Sequence, residues 1–143
     1  MLTLKEAKQI AEKIMDFAEE EKLNPLAVAV LDKGGHSLCT LRHEDAGILR
    51  NDIAFGKAWG ALGMGFGTRT FASMTESSQK FQSFVGSLSD MSNGKVVPTQ
   101  GGVLIRNSDG DLIGAVGVSG DSSENDESAI LNTLHDLNYI AQP

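Results

Sequence analysis

Two apolar runs, Val103–Ile105 and Leu112–Val118, flank Asp109-Gly110, and that arrangement restricts the fold more than any other feature of the chain. An Asp-Gly pair supplies the positive φ that a hairpin turn needs, so apolar runs on either side of it pair as antiparallel strands. The spacing predicts a hairpin over 102–107 and 111–119. Gly114 and Gly117 in the second run leave the backbone bare, so a helix or a ligand can come close to that strand.

The layout occurs twice. Leu26–Leu31 and Ser37–Leu41 flank Asp32-Lys33-Gly34-Gly35, and a helical segment over 51–67 follows this first hairpin as 126–140 follows the second. The repeat is one of architecture and not of sequence, because the side chains do not align beyond the glycines. Thr3 and Glu6 form a capping box, and Leu4, Ala7, Ile10, Ala11, Ile14, Met15 and Ala18 continue it as one apolar stripe, giving a first helix from about 4 to 22. Asn24-Pro25 ends that helix, since a residue before proline is pushed out of the helical region.

In the second helix Asn51 or Asp52 is the expected cap. Gly56, Gly60 and Gly63 are expected to bring this helix close to the sheet. The last helix starts around 122–126, where Glu124, Asp126 and Glu127 suit the positive end of a helix dipole. Its core-facing stripe is Ala129, Ile130, Thr133, Leu134, Leu137 and Ile140, with His135 off the stripe. The stretch 70–91 carries Phe71, Met74, Phe81, Phe84, Val85, Leu88 and Met91 at helical spacings, and part of it is expected to be buried between subunits.

With 143 residues the chain fits a single domain, 1–143, able to bury a core without staples. Its single cysteine, Cys39, excludes an internal disulfide and reads as a small strand hydrophobe. A net charge of −7 with scattered Lys and Arg argues against nucleic acid as a partner. No apolar run approaches the roughly 20 residues that span a bilayer, and the charged opening segment lacks a signal-peptide core, so the expected location is the cytoplasm.

Phosphate-binding loops, Cys-x-x-Cys pairs, His-Glu-x-x-His and nucleophile elbows are all missing. What remains is polar residues at the ends of elements: Arg42, His43, Asp45, Lys57, Thr99, Gly101, Gly102, Ser119 and Asp126. Lys57 interrupts the small apolar face of the second helix, so its ammonium either snorkels past the edge or waits in a cleft for an anion. In the second case Lys57→Met should weaken ligand binding and leave the fold intact. Arg42 and Lys57 suit carboxylates or propionates, and His43 suits iron ligation or proton transfer. Glu124 and Glu127 share a helix face as a weak cation site, although a solvated helix end is the plainer reading.

Val28–Asp32 with Gly34-Gly35-His36, Arg42-x-x-Asp45-Ala46-Gly47, Asp52–Ala54 with Lys57-Ala58, Pro98-x-x-Gly101-Gly102, and Ile113–Gly120 with Asp126-Glu127 together resemble the GlcG/HbpS-like haem-binding family. That family also includes the C-terminal domain of PduO-type corrinoid adenosyltransferases. The resemblance covers nearly the whole chain in order. It implies a profilin-like α/β (α+β) fold, an antiparallel sheet of about five strands with helices on both faces, assembled into homo-oligomers. It also implies binding of haem or a related tetrapyrrole, with links to oxidative stress or to glycolate or diol catabolism. The ligand site carried over is Arg42, His43, Asp45, Lys57, Thr99, Gly101, Gly102 and Asp126, with His43 or His36 as iron ligand; His36, in a hairpin turn, also reads as simply exposed. The alternative is an enzyme acting on a small organic acid, in which Lys57 and Arg42 hold the carboxylate and Asp45 or His43 moves a proton.

Overall fold

The computed structural model describes residues 1–143. Its elements are α1 (Leu4–Glu20), β1 (Ala27–Asp32), β2 (Ser37–Arg42), α2 (Arg50–Met64) and α3 (Thr68–Ser77), then α4 (Gln79–Met91), β3 (Gly102–Arg106), β4 (Leu112–Ser119), α5 (Ser123–Asp136) and β5 (Ile140–Gln142). The strands form one antiparallel sheet in the order β2-β1-β4-β3-β5. The two expected hairpins are its β1–β2 and β3–β4 pairs. No helix is long and apolar enough to cross a membrane.

Strand alternation sorts the side chains between two layers. Val28, Val30, Val103, Ile105, Val116 and Val118 point to one face, where Ile10 and Ile14 of α1 meet Ile130 and Leu134 of α5 in the larger core. Ala27, Ala29, Leu31, Leu104 and Ala115 point to the other, against Ala54, Ala58 and Ala61 of α2. Small residues on both sides of this second contact let α2 lie close to the strands.

The glycines that permit this approach belong mainly to the sheet. A Cβ at Gly117 would overlap the carbonyl of Ala54, and one at Gly102 the carbonyl of Lys57. Gly56 and Gly60 instead face Val97 and Val96 of the segment that follows α4, and Gly63 faces open space. The expectation that Gly56, Gly60 and Gly63 seat α2 on the sheet is therefore corrected, while the bare backbone of β4 does receive a helix.

Several ends differ from the sequence reading. The capping box at α1 forms, with Thr3 Oγ1 accepting from the Glu6 amide at 3.2 Å and Glu6 Oε2 from the Thr3 amide at 2.8 Å. Leu4 of the expected stripe is 56% exposed, and Leu2 takes its place in the core beside Ala7, as a hydrophobic staple does. Helix α1 stops at Glu20, with Lys22 in the left-handed region at φ 54°. Helix α2 starts after Leu49 with no side-chain cap, so neither Asn51 nor Asp52 caps it, and it ends at Met64 on the left-handed Gly65. Helix α5 ends at Asp136, and Ile140, expected in its stripe, is an exposed residue of edge strand β5. Its cap is Ser122, whose hydroxyl accepts from the Asn125 amide at 3.1 Å.

Helices α3 and α4 carry the Phe-rich stretch. Phe71 is fully buried, and edge-to-face contacts run from Phe66 to Phe71 to Phe81 at centroid separations of 6.2 and 5.9 Å. Cys39 is partly buried against the larger core, and burial pushes its thiol pKa up, as expected of a packing residue.

Candidate functional site

The strand register sorts the polar residues to two ends of the sheet. At the first end β1 begins, β2 and β4 finish and β3 begins; Ala27 stands between Arg42 and Ser119, so these two are about 10 Å apart across three strands. The second end carries the turns Asp32–Ser37 and Asn107–Asp111.

Four of the expected residues meet at the first end. Lys57 and Asp126 are 3% and 1% exposed, and the Lys57 ammonium donates to Asp126 Oδ2 at 3.1 Å and to the Val118 carbonyl at 2.9 Å. Asp126 Oδ1 accepts from the Asp121 amide at 3.0 Å. Gly101, at φ 110°, leaves room for this pair, because a Cβ there would stand 2.9 Å from Lys57 Nζ. Gly102 donates its amide to Thr68 Oγ1 at 2.7 Å, and the same hydroxyl donates back to the Gly102 carbonyl at 3.2 Å. Burial pushes the Lys57 pKa down and the Asp126 pKa up, and each charge opposes the shift of the other. Lys57 is thus neither a snorkelling residue nor a cation awaiting a ligand, since a carboxylate of its own chain meets it.

Two further contacts fix this end. The Arg69 guanidinium forks onto the nearly buried Glu127 carboxylate, and Arg50 Nη1 donates to Ser119 Oγ at 3.0 Å. The proposed cation site at Glu124 and Glu127 is corrected accordingly: Glu124 is exposed, Glu127 is turned inward, and no group of three or more His, Cys, Asp or Glu side chains is placed to hold a metal ion.

Arg42, the last residue of β2, and His43 and Asp45 of the loop that follows lie apart from that node. Arg42 Nη1 donates to the carbonyls of His43, Glu44 and Ala46 at 3.0, 3.2 and 2.6 Å, so the guanidinium ties its own loop. His43 Nδ1 accepts from the Asp45 amide at 3.1 Å, and its ring borders a cleft of about 380 Å³ with Leu23, Pro25 and Leu26, rimmed by Glu19 and Lys22. Asp45 and Thr99 are exposed. His36 lies at the opposite end of the sheet, its side chain 83% exposed, on a cleft of about 600 Å³ with Lys33, Leu112 and Ile113. The residues carried over as one site therefore form a closed internal node and a separate loop, and the two clefts that hold a histidine are lined by neither Lys57 nor Asp126.

Sequence reasoning missed Asp121, Thr68, Arg50 and Arg69. Asp121 joins three donors, the Asn24 amide at 2.7 Å, the Ser122 amide at 2.8 Å and Asn125 Nδ2 at 2.7 Å, which hold its pKa below the usual aspartate range. Its signal was local: an aspartate directly before a Ser cap, with an amide side chain four residues on.

A five-stranded antiparallel sheet, two helices on one face and a closely seated helix on the other define an α+β protein with pockets at both sheet ends. The chain belongs to the family described as "Haem degrading protein HbpS-like", which residues 2–135 match. It is 34% identical over 125 residues to a 15.0 kDa Citrobacter freundii protein encoded in the dhaT-dhaS intergenic region, covering 87% of this chain and 84% of that protein. It is 32% identical over 125 residues to the corrinoid adenosyltransferase PduO of Citrobacter freundii, again over 87% of this chain but spanning 36% of the relative's length. The crystal structure of a PduOC:haem complex superposes with a TM-score of 0.81 at 26% identity, over 95% of this chain and 94% of the other.

Proposed function

We propose that the chain binds haem or a related tetrapyrrole and holds it without turning it over, in a role tied to oxidative stress or to small-acid or diol catabolism. The observation that carries this reading is the match, over nearly the full length of both chains, to a protein crystallised with haem. The residues present fit such a group. Imidazoles border two clefts, each with part of its wall apolar and one lysine, Lys22 or Lys33, to meet a propionate, beside two carboxylates, Asp16 and Glu19 in the first and Asp32 and Asp111 in the second. Bound haem supplies an iron centre for small ligands or electrons; the protein supplies a donor atom, apolar cover and countercharge.

The small-acid reading is weaker on this geometry. It asks Lys57 and Arg42 to hold a carboxylate, yet Asp126 engages the first and loop carbonyls the second. A haemin titration followed by Soret absorbance, run beside a thermal-shift screen of small acids, tests both readings. A saturable one-to-one Soret change is expected. Stabilisation by an acid with no haemin uptake would overturn the reading, and bleaching of the band under ascorbate would overturn its non-catalytic half.

The protein also associates with itself in this reading. Helix α4 rests on α3 and leaves Phe84 and Met91 47% and 75% exposed, with Met74 of α3 also open, an apolar surface suited to a second copy.

A further inference from the structure

The chain has three histidines, and their surroundings differ in the one respect that matters to iron, which is where the ring proton sits. A neutral imidazole ligates through the nitrogen that lacks a proton, and its partner nitrogen is normally anchored as a donor. His43 is arranged the wrong way round. Its Nδ1 accepts the Asp45 amide proton at 3.1 Å, so that lone pair is taken and the proton of the neutral ring belongs on Nε2, against the pull of the exposed Glu44 carboxylate at 3.5 Å. His135 is exposed in the last turn of α5 and lines neither histidine-bearing cleft.

At His36 no group donates to Nδ1, and the nearest charged atom is Asp32 Oδ1 at 3.4 Å. This is a charge contact and not a hydrogen bond, and in the neutral ring it favours the proton on Nδ1, which leaves the Nε2 lone pair free. The carboxylate is itself fixed: Oδ1 accepts from the amides of Gly34 at 2.9 Å and His36 at 3.0 Å. The turn is closed by the Asp32 amide to the His36 carbonyl at 2.9 Å and the Gly35 amide to the Asp32 carbonyl at 3.0 Å. Trp59 lies against Gly35, whose φ of 82° suits glycine. His36 therefore stands on a braced turn at the edge of the cleft of about 600 Å³, whose charged groups are Asp32, Lys33 and Asp111 and whose apolar wall includes Leu2, Leu112 and Ile113.

From this geometry we infer that His36 Nε2 is the iron ligand of a haem seated in this cleft, with Asp32 orienting the ring and Lys33 meeting a propionate. The inference rests on the haem-binding reading above and gives that reading its donor atom. Asp32 is a positioning residue: its negative charge 3.4 Å from Nδ1 makes the imidazole a stronger electron donor and lowers the iron's reduction potential.

Haemin is titrated into the full chain and into His36→Ala, His36→Gln, His43→Ala and Asp32→Asn, with far-UV circular dichroism to verify folding. The His36 variants should bind about tenfold more weakly or worse and lose the histidine–iron stretch in the ferrous resonance Raman spectrum. Added imidazole should restore a nitrogen-ligated spectrum to His36→Ala. His43→Ala should keep both affinity and spectrum, and Asp32→Asn should bind haemin with a raised midpoint potential. If the wild type binds haemin and the His36 variants match it in affinity and spectrum, the ligand assignment falls and haem binding stands. If the wild type takes up no haemin, both fall.

Discussion

Lys57 and Asp126 are buried together, so neither can lose its partner without leaving a charge in the interior. Removing one member of such a pair costs about 3–5 kcal/mol, whereas replacing both with apolar residues of similar volume is often neutral or stabilising. Lys57→Met should therefore lower stability in urea by an amount of that order, and Lys57→Met/Asp126→Leu should recover most of it. Equal stability of Lys57→Met and wild type would mean that the pair contributes nothing, and would reopen the view of Lys57 as a ligand contact. Asp121 gives a pH-dependent case. Three donors hold its folded pKa below the ordinary value of 3.8, so its stabilisation is complete above about pH 4 and is lost as pH falls through the folded value. Asp121→Asn should lower stability at pH 7 and flatten the decline below pH 4, measured as urea midpoints across pH. A variant with the wild-type acid profile would assign that decline to other carboxylates, such as Asp32 and Glu6, whose pKa values are also lowered.

At the scale of elements, the seat of α2 on the sheet decides where the polar groups fall, and glycines on opposite sides of that helix respond differently to one methyl group. In Gly117→Ala the new Cβ overlaps the Ala54 carbonyl, so α2 must lift from β4 at a cost of about 1–3 kcal/mol or more. In Gly60→Ala the Cβ meets Val96 Cγ1 at 3.7 Å, an ordinary contact, and the helix gains about 0.5–1 kcal/mol from the lost flexibility of glycine. Thermal melts of the two variants should move in opposite directions; a stable Gly117→Ala would show that the helix does not sit as close as drawn. Hairpins, capping box and core stripes were legible because each depends on residues within one or two turns of chain. Leu4 and Ile140 were misplaced because an apolar residue at the end of a stripe has no local signal telling it where the element stops.

For the molecule as a whole, the open apolar surface of α3 and α4 makes self-association the expected state. Light scattering at micromolar concentration should give a mass above the 15.2 kDa of one chain, and Phe84→Glu should reduce it without unfolding the protein. A 15.2 kDa particle for the wild type would end that reading. By itself the sequence determined four of the five strands, their pairing into two hairpins, most of α1, α2 and α5, and the family, because alternation, turn chemistry and capping are properties of neighbouring residues. It also gathered Lys57, Gly101, Gly102 and Asp126 into one group. Only the tertiary structure decided what that group does, since the partner of Lys57 lies 69 residues away in the chain and is brought to it by packing α2 and α5 across opposite faces of one sheet. The same packing separated Arg42 and His43 from that node and put His36 at the far end of the sheet, because strand direction and register, and not sequence order, set which ends meet.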